Sequence, residues 1–325
     1  MGQLLTPEKA KSMSGAIWLP WVSLTSLGGH LVFKLQRSLK LKLEGLEHIP
    51  DQPCIVATNH THNYDFLPLR YLFYHQKGVS LSTWIKARAW QNPLLINYLS
   101  YTGNVPLASR GYVLSGDFKQ VFQRKPSEEE YRALRNHLDK GTPLPEGEVF
   151  DRLQQEARSI LGIDFNPSSS SYRDCIDLCF REFMESTLVV AEKAVKNGLY
   201  QHINPQGTRS SRLTDGRPGA IHVAARLNLP ILPVSILGMR EAMPNQGIRS
   251  AGGTILVKCG EPYLPSLEDL SSGYRPFFVK EESDQQIIDR ELSVLMSKIN
   301  ELCDERYCMQ EGYKSDGKQG VARFL

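Results

Sequence analysis

An α/β fold, built on a mostly parallel central sheet flanked by helices, is what this sequence predicts, and three observations carry it. Short apolar runs recur along the chain, stretches of helical periodicity lie between them, and polar turns follow two of the runs. The runs at 53–58 (PCIVAT), 81–86 (LSTWIK), 203–205 (INP), 229–237 (LPILPVSIL) and 254–260 (TILVKCG) read as strands, several of them apolar throughout, as strands buried on both faces are. Between them, 186–198 carries helical periodicity up to a glycine stop at Gly198, and 218–228 repeats the pattern. Apolar residues at helical spacing over 284–307 predict an amphipathic helix that closes the domain.

Composition is ordinary for a chain that buries a core: 325 residues, 41% hydrophobic and 22% charged. A formal charge of +3 and a pI near 8.4 are too weakly basic to indicate a nucleic-acid partner, so none is expected. The six cysteines (Cys54, Cys175, Cys179, Cys259, Cys303 and Cys308) lack the spacing of common zinc sites and read as free thiols, with no metal expected. No basic-then-apolar leader with a small-residue cleavage site is apparent, which favours a reducing cytosolic face.

The most apolar long stretch, 14–33, is interrupted by Pro20, Gly28, Gly29 and His30, and so makes a poor bilayer-crossing helix. Trp18 and Trp21 within it suit the headgroup layer, and Lys34, Arg37, Lys40 and Lys42 follow. An apolar, tryptophan-bearing segment beside a basic run reads as an interfacial anchor, so residues 1–43 are expected to form a membrane-interface segment on the cytoplasmic face of a phospholipid membrane. The main domain is expected over 44–310. It is interrupted at 114–180 by a charged stretch, ending in the low-complexity SSSSY, that reads as an insertion of amphipathic helices and loops. Residues 311–325 read as a loose tail.

Chemistry concentrates where the run 53–58 passes directly into Asn59-His60-Thr61-His62-Asn63-Tyr64-Asp65. Ligand sites of open α/β sheets lie just beyond strand C-termini. In this H-x4-D pattern Asp65 can fold back onto one imidazole nitrogen of His60 and leave the other free to take a proton. That is the base-and-orienter half of a Ser-His-Asp triad without its serine, an arrangement suited to direct attack by a substrate alcohol on a thioester. His62 is the competing histidine, but only His60 follows the strand and has the five-residue offset to Asp65. A second donor-rich turn, Gly207-Thr208-Arg209-Ser210, can hold a phosphate through backbone N–H groups, hydroxyls and a guanidinium. Lys86 and Arg88 after one run, with Arg110 in another polar turn, would supply further cations if they converge on one cleft.

In ordered blocks the sequence resembles the glycerophospholipid acyltransferase family, of the PlsC-like, 1-acylglycerol-3-phosphate acyltransferase kind. GLEHIP (45–50) is similar to the family's lead-in, and Asn59-His60 with Asp65 to its first motif. The stretch from Lys86 through Asn92-Pro93 and Gly103 to Arg110 is similar to its second motif. Pro205-Gln206-Gly207-Thr208-Arg209-Ser210 is similar to its third, and 229–238 to its fourth. VKCGEPY (257–263) is similar to its closing strand and turn. The resemblance implies His60 as general base, Asp65 as its partner, and Lys86, Arg110, Gln206, Gly207, Thr208 and Arg209 as substrate-binding residues. It departs from the family in Gln206, which stands where the family has glutamate, in one extra residue between Gly103 and Arg110, and in the insertion at 114–180.

The implied activity is a transferase reaction of phospholipid biosynthesis: an acyl group moves from acyl-CoA or acyl carrier protein, as thioester co-substrate and with no cofactor, to a hydroxyl of lysophosphatidate. Glycerol 3-phosphate or another lysophospholipid are alternative acceptors. A non-catalytic lipid-binding homologue is the reading that Gln206 keeps open. A thioesterase would leave the phosphate-type turn at Arg209 unexplained.

Overall fold

The computed structural model describes residues 4–18, 20, 28–33 and 38–316. Seven strands form one sheet: β1 (Leu39–Glu44), β2 (Ile55–Thr58), β3 (Leu81–Lys86), β4 (Val105–Leu107), β7 (Tyr200–Ile203), β8 (Ile231–Leu237) and β9 (Gly253–Cys259). Their order is β1-β9-β8-β2-β7-β3-β4, and only the β8–β9 pair is antiparallel. Two short strands, β5 (Arg158–Ile160) and β6 (Ile163–Phe165), make a separate antiparallel pair.

The central strands β2, β7 and β8 are buried along their whole length, as their apolar runs require. Side chains alternate across the pleat. Ile55 and Ala57 of β2 pack with Ile221, Leu188 and Ile288, whereas Val56 packs with Leu69, Phe73 and Leu232. The helices Gly219–Leu227 and Glu282–Glu301 cover the first of these faces, and Phe66–Leu72 the second.

A 25-residue helix, Tyr172–Lys196, starts well before the periodicity read from 186. Ser171 caps it, its hydroxyl accepting from the Asp174 N–H. Cys175, Ile176, Cys179 and Phe183 on its first half join a second core with Leu114, Phe118, Leu134 and Phe165, whereas Leu188, Val190 and Ala191 on its second half join the sheet's core. The helix thus welds the inserted stretch to the sheet. Both expected insertion boundaries fall inside helices, since Arg110–Phe122 is already a buried element before 123 and residue 180 lies mid-helix. The stretch that interrupts the α/β rhythm is therefore the pair of helices Glu128–Lys140 and Glu148–Gln155 with the β5–β6 hairpin.

The N-terminal expectation is met differently in its parts. Leu5 and Ala10 are buried, the short helix Pro7–Lys11 lies against Tyr172–Lys196, and Lys193 Nζ donates to the carbonyls of Lys11 and Met13 at 2.8 and 3.1 Å. Gly15 sits at φ +62° where an added Cβ would come within 2.7 Å of the Ala194 nitrogen, so only glycine permits this close approach. Residues 4–17 therefore belong to the body of the protein. Lys40 and Lys42 also leave the anchor, because they project from the solvent side of the edge strand β1, where charges guard an open sheet edge. The expected boundary at 43 falls within that strand. Trp18 is 54% and Leu31 49% exposed; Trp21, Lys34 and Arg37 lie outside the described residues. Among the described residues no helix is long and apolar enough to cross a membrane.

The described part of the expected loose tail is docked. Tyr313 Oη lies 3.0 Å from Ser210 Oγ and 2.7 Å from Ser211 Oγ, and Asp316 accepts hydrogen bonds from Ser210 Oγ and the Ser211 N–H at 2.9 and 2.8 Å. Burial alone would push the Asp316 carboxyl up, but these hydrogen bonds outweigh it and hold the pKa down to about 2.

Candidate active site

Strand β2 delivers its C-terminal end into a turn that Asp65 closes. A single carboxylate oxygen, Oδ2, accepts from the Thr61 and His62 N–H groups at 2.8 and 2.9 Å and lies 3.1 Å from His60 Nδ1. Asp65 is 2% exposed; Oδ1 is buried without a hydrogen-bond partner among the described residues, and Oδ2 carries all three contacts. Its grip on Nδ1 fixes the imidazole with Nε2 turned from the carboxylate; Nε2 has no hydrogen-bond partner among the described residues. The His60 side chain is 24% exposed and lines an open cleft of about 1070 Å³. His62 is fully buried, its Nδ1 receives the Tyr64 N–H at 3.2 Å, and burial pushes its pKa down despite the opposing Asp65 charge. It belongs to the turn's scaffold.

Three distant segments hold the turn in place. Asn59 acts like an extra strand residue, its amide exchanging two hydrogen bonds with the Ile236 backbone of β8 at 3.1 and 2.7 Å. Gln246, itself in a left-handed conformation, accepts the Asn63 N–H at 2.9 Å and donates to the Thr61 carbonyl at 3.3 Å. The third segment is the turn after β7. Gln206 Oε1 accepts the His60 N–H at 2.8 Å, and the Ser210 N–H donates to the His60 carbonyl at 2.9 Å.

Gln206 thus departs from its expected role. It is 4% exposed and does not line the cleft, and its Nε2 donates to the Arg212 carbonyl and Thr214 Oγ1 at 3.0 and 3.3 Å. The site needs an acceptor on one side and a donor on the other, which an amide supplies and a carboxylate does not. Gln206→Glu should set an oxygen against the Arg212 carbonyl and destabilise the protein by about 1–3 kcal/mol, the usual cost of a lost buried hydrogen bond. Urea denaturation of both proteins checks this, and an unchanged or higher stability would contradict it.

Gly207, Thr208 and Arg209 line the cleft together with Lys86 and Arg88. Gly207 is at φ +65° and a Cβ there would meet the Arg217 side chain at 2.8 Å, so the turn is closed to larger residues. Thr208 Oγ1 is buried without a hydrogen-bond partner among the described residues. Arg209 forms no ion pair or hydrogen bond among them either; burial, helped by Arg88, pushes its pKa down against the opposing charge of Asp65. An unpaired guanidinium and an unpaired hydroxyl beside His60 form a ready anion site.

Arg110 is not part of it. As the first residue of its helix it donates from Nε to Asp177 Oδ1 at 2.6 Å and lies over the Phe180 ring, 4.9 Å from the centroid. The early start of the helix Tyr172–Lys196 supplies both partners, and Arg110 is absent from the cleft lining. Arg240 lines the cleft instead, just past the end of β8, with Asp316 3.6 Å away. The cleft also has a polar floor that sequence reasoning missed. The buried His202 of β7 touches Thr58 Oγ1 and Thr83 Oγ1 at 3.0 and 3.3 Å, and burial holds its pKa down to about 3, so it is neutral. Asn204 donates to Thr58 Oγ1 at 2.8 Å. Polar side chains within or just past otherwise apolar parallel strands were the available signal. No group of three or more His, Cys, Asp or Glu side chains is placed to hold a metal ion among the described residues.

A family model described as Acyltransferase matches residues 40–151, a stretch that includes His60, Asp65 and Lys86 and stops short of Arg209. Over 81 residues the chain is 37% identical to a 1-acyl-sn-glycerol-3-phosphate acyltransferase of Cocos nucifera, which covers 24% of this chain and 26% of that protein. The chain therefore spans about a quarter of the length of that curated relative. The solved structure of the 1-acyl-sn-glycerophosphate (LPA) acyltransferase PlsC from Thermotoga maritima aligns with 86% of this chain and 79% of that one, at 19% identity and a TM-score of 0.45.

Proposed function

We propose that this chain is an O-acyltransferase of the 1-acylglycerol-3-phosphate kind, acting in phospholipid biosynthesis, a reading that the match of residues 40–151 to the Acyltransferase family model supports. One observation carries the reading: His60 Nε2 and the Arg209 guanidinium, both without a hydrogen-bond partner among the described residues, belong to side chains that line the same cleft. Lysophosphatidate places its phosphate on Arg209, Thr208 and Lys86 and its free hydroxyl on His60. Nε2 takes the hydroxyl proton as the oxygen attacks the thioester carbonyl carbon of acyl-CoA or acyl-carrier-protein donor. The C–S bond then breaks, and the imidazolium returns the proton to the departing thiolate. Asp65 holds the tautomer that this requires and stabilises the transient imidazolium. No enzyme nucleophile is needed, since the acceptor oxygen occupies the position a triad serine would take. Amphiphilic substrates favour association with the cytoplasmic face of a membrane, and the exposed Trp18, Leu31 and Leu94 support it.

Arg209→Ala tests the reading. The apparent KM for lysophosphatidate should rise by roughly ten- to a hundredfold, as loss of a charge-assisted contact worth about 1.5–3 kcal/mol dictates, while the KM for the donor stays near the wild-type value. Monoacylglycerol, which lacks the phosphate, should be used equally poorly by both proteins. An equal effect on donor and acceptor would remove Arg209 from the phosphate and sink the assignment of the acceptor.

A further inference from the structure

The cleft does not end at the acceptor site. It runs along the helix Arg110–Phe122, which turns Tyr112, Ser115, Gly116 and Lys119 towards it, and Lys125 lines it just beyond the helix end. The offsets of three, four and seven residues put the four on one stripe, and from Tyr112 to Lys119 the stripe is ~10 Å long. Two features of this end are unexplained by a fatty chain. Ser115 is 2% exposed and its Oγ has no hydrogen-bond partner among the described residues, although a helical serine can bond a carbonyl one turn back. Lys119 and Lys125 form no ion pair among the described residues, whereas Arg124, Arg135, Arg152 and Arg158 of the same region all do. An apolar tail leaves a buried hydroxyl unsatisfied and gains nothing from two ammonium groups.

We infer that this end of the cleft is the site for the donor's carrier arm: Ser115 Oγ hydrogen-bonds an amide of the phosphopantetheine, and Lys119 with Lys125 takes its phosphate. The inference rests on the acyltransferase reading above and deepens it. Acyl-CoA and acyl carrier protein share this arm, a thin chain with two amides that separates the thioester from a phosphate. With the thioester at His60, the phosphate of the arm must lie away from the acceptor phosphate at Arg209, and a second, separate pair of cations is what such a substrate pair requires. Lysines suit it, because flexible point charges follow a phosphate that no rigid fork constrains.

The test is the double variant Lys119→Ala/Lys125→Ala in the full chain. With saturating lysophosphatidate, its KM for acyl-CoA should rise about tenfold or more, as loss of charged contacts implies, with the acceptor KM within about twofold. S-acyl-pantetheine, which has the arm without phosphate, should be used identically by variant and wild type. A matching loss with acyl carrier protein assigns the lysines to the shared arm phosphate; a loss confined to acyl-CoA assigns them to coenzyme A's further phosphates and overturns the arm-phosphate site. Ser115→Ala should weaken coenzyme A binding while the free protein becomes no less stable, because an unpartnered buried hydroxyl has been removed. Calorimetry with coenzyme A separates the two readings. Wild-type protein that binds it through these lysines yet transfers no acyl group would defeat the transferase and keep the site. Intact transfer with unchanged donor KM and coenzyme A affinity in the double variant would overturn the site, and so would a loss confined to vesicle binding.

Discussion

His60→Ala should lower acyl transfer by at least about a hundredfold, the low end of what a positioned general base supplies, while acceptor affinity stays near wild type. Alanine removes the base and leaves the rest of the turn intact, because the His60 main chain keeps its bonds to Gln206 and Ser210. The partner residue needs a subtler change. Asp65→Ala would strip the buried N–H groups of Thr61 and His62 of their acceptor, so lost activity would report a broken turn. Asp65→Asn keeps an oxygen facing all three donors and removes only the charge that steadies the imidazolium. It should cost on the order of 10²–10⁴ in turnover with little change in stability. His62→Ala should change turnover far less, since His62 does not reach the cleft. Single-turnover assays with each purified variant, paired with lysolipid binding, separate these cases. Equal losses for His60→Ala and His62→Ala would mean that neither acts as the base.

The second large effect is on stability. Arg158 and Asp117 form a bidentate pair at 2.7 and 2.8 Å, with side chains 10% and 0% exposed, and Tyr172 Oη donates to the same carboxylate at 2.9 Å. Arg158 also donates to the Leu153 carbonyl at 3.0 Å. The pair therefore ties the helices Arg110–Phe122, Glu148–Gln155 and Tyr172–Lys196 to β5. Arg158→Ala abandons a fully buried carboxylate and should destabilise the protein by about 3–5 kcal/mol, read from urea denaturation. Replacing both partners, with Arg158→Met and Asp117→Leu, should recover most of the loss, because no buried charge is then left alone. A single variant within about 1 kcal/mol of wild type would show that this junction does not hold the insertion to the sheet.

How legible the molecule was depends on whether a signal is local. Strands β2 and β8 could be read because strands buried on both faces must be apolar almost throughout. The turn from Asn59 to Asp65 could be read because the three contacts to Asp65 Oδ2 span at most five residues. β1 was hidden because LKLKLE satisfies a strand and a basic run equally well, and only its pairing with β9 decides between them. Gln206 and Arg110 were misplaced for another reason: residue type says what a side chain can bond, whereas Arg212 and Asp177 decide what it does bond. Gln246, which clamps the turn across 183 residues of sequence, and the docked Tyr313 and Asp316 left no local trace at all. The fold was thus legible from periodicity, and the His60–Asp65 contact from one short motif. The supports around that pair were not, since long-range contacts made them.

One measurement bears most directly on the central claim, that His60 acts as general base while an acyl group moves directly from a thioester to a hydroxyl beside the Arg209 anion site. Purified protein is incubated with a radiolabelled acyl thioester and lysophosphatidate, and thiol release and the labelled lipid product are quantified together. The account predicts phosphatidate and free thiol in equal amounts, both abolished in His60→Ala. Thiol released with free fatty acid as the labelled product, or lysophosphatidate bound with no thiol released from any donor, would contradict it.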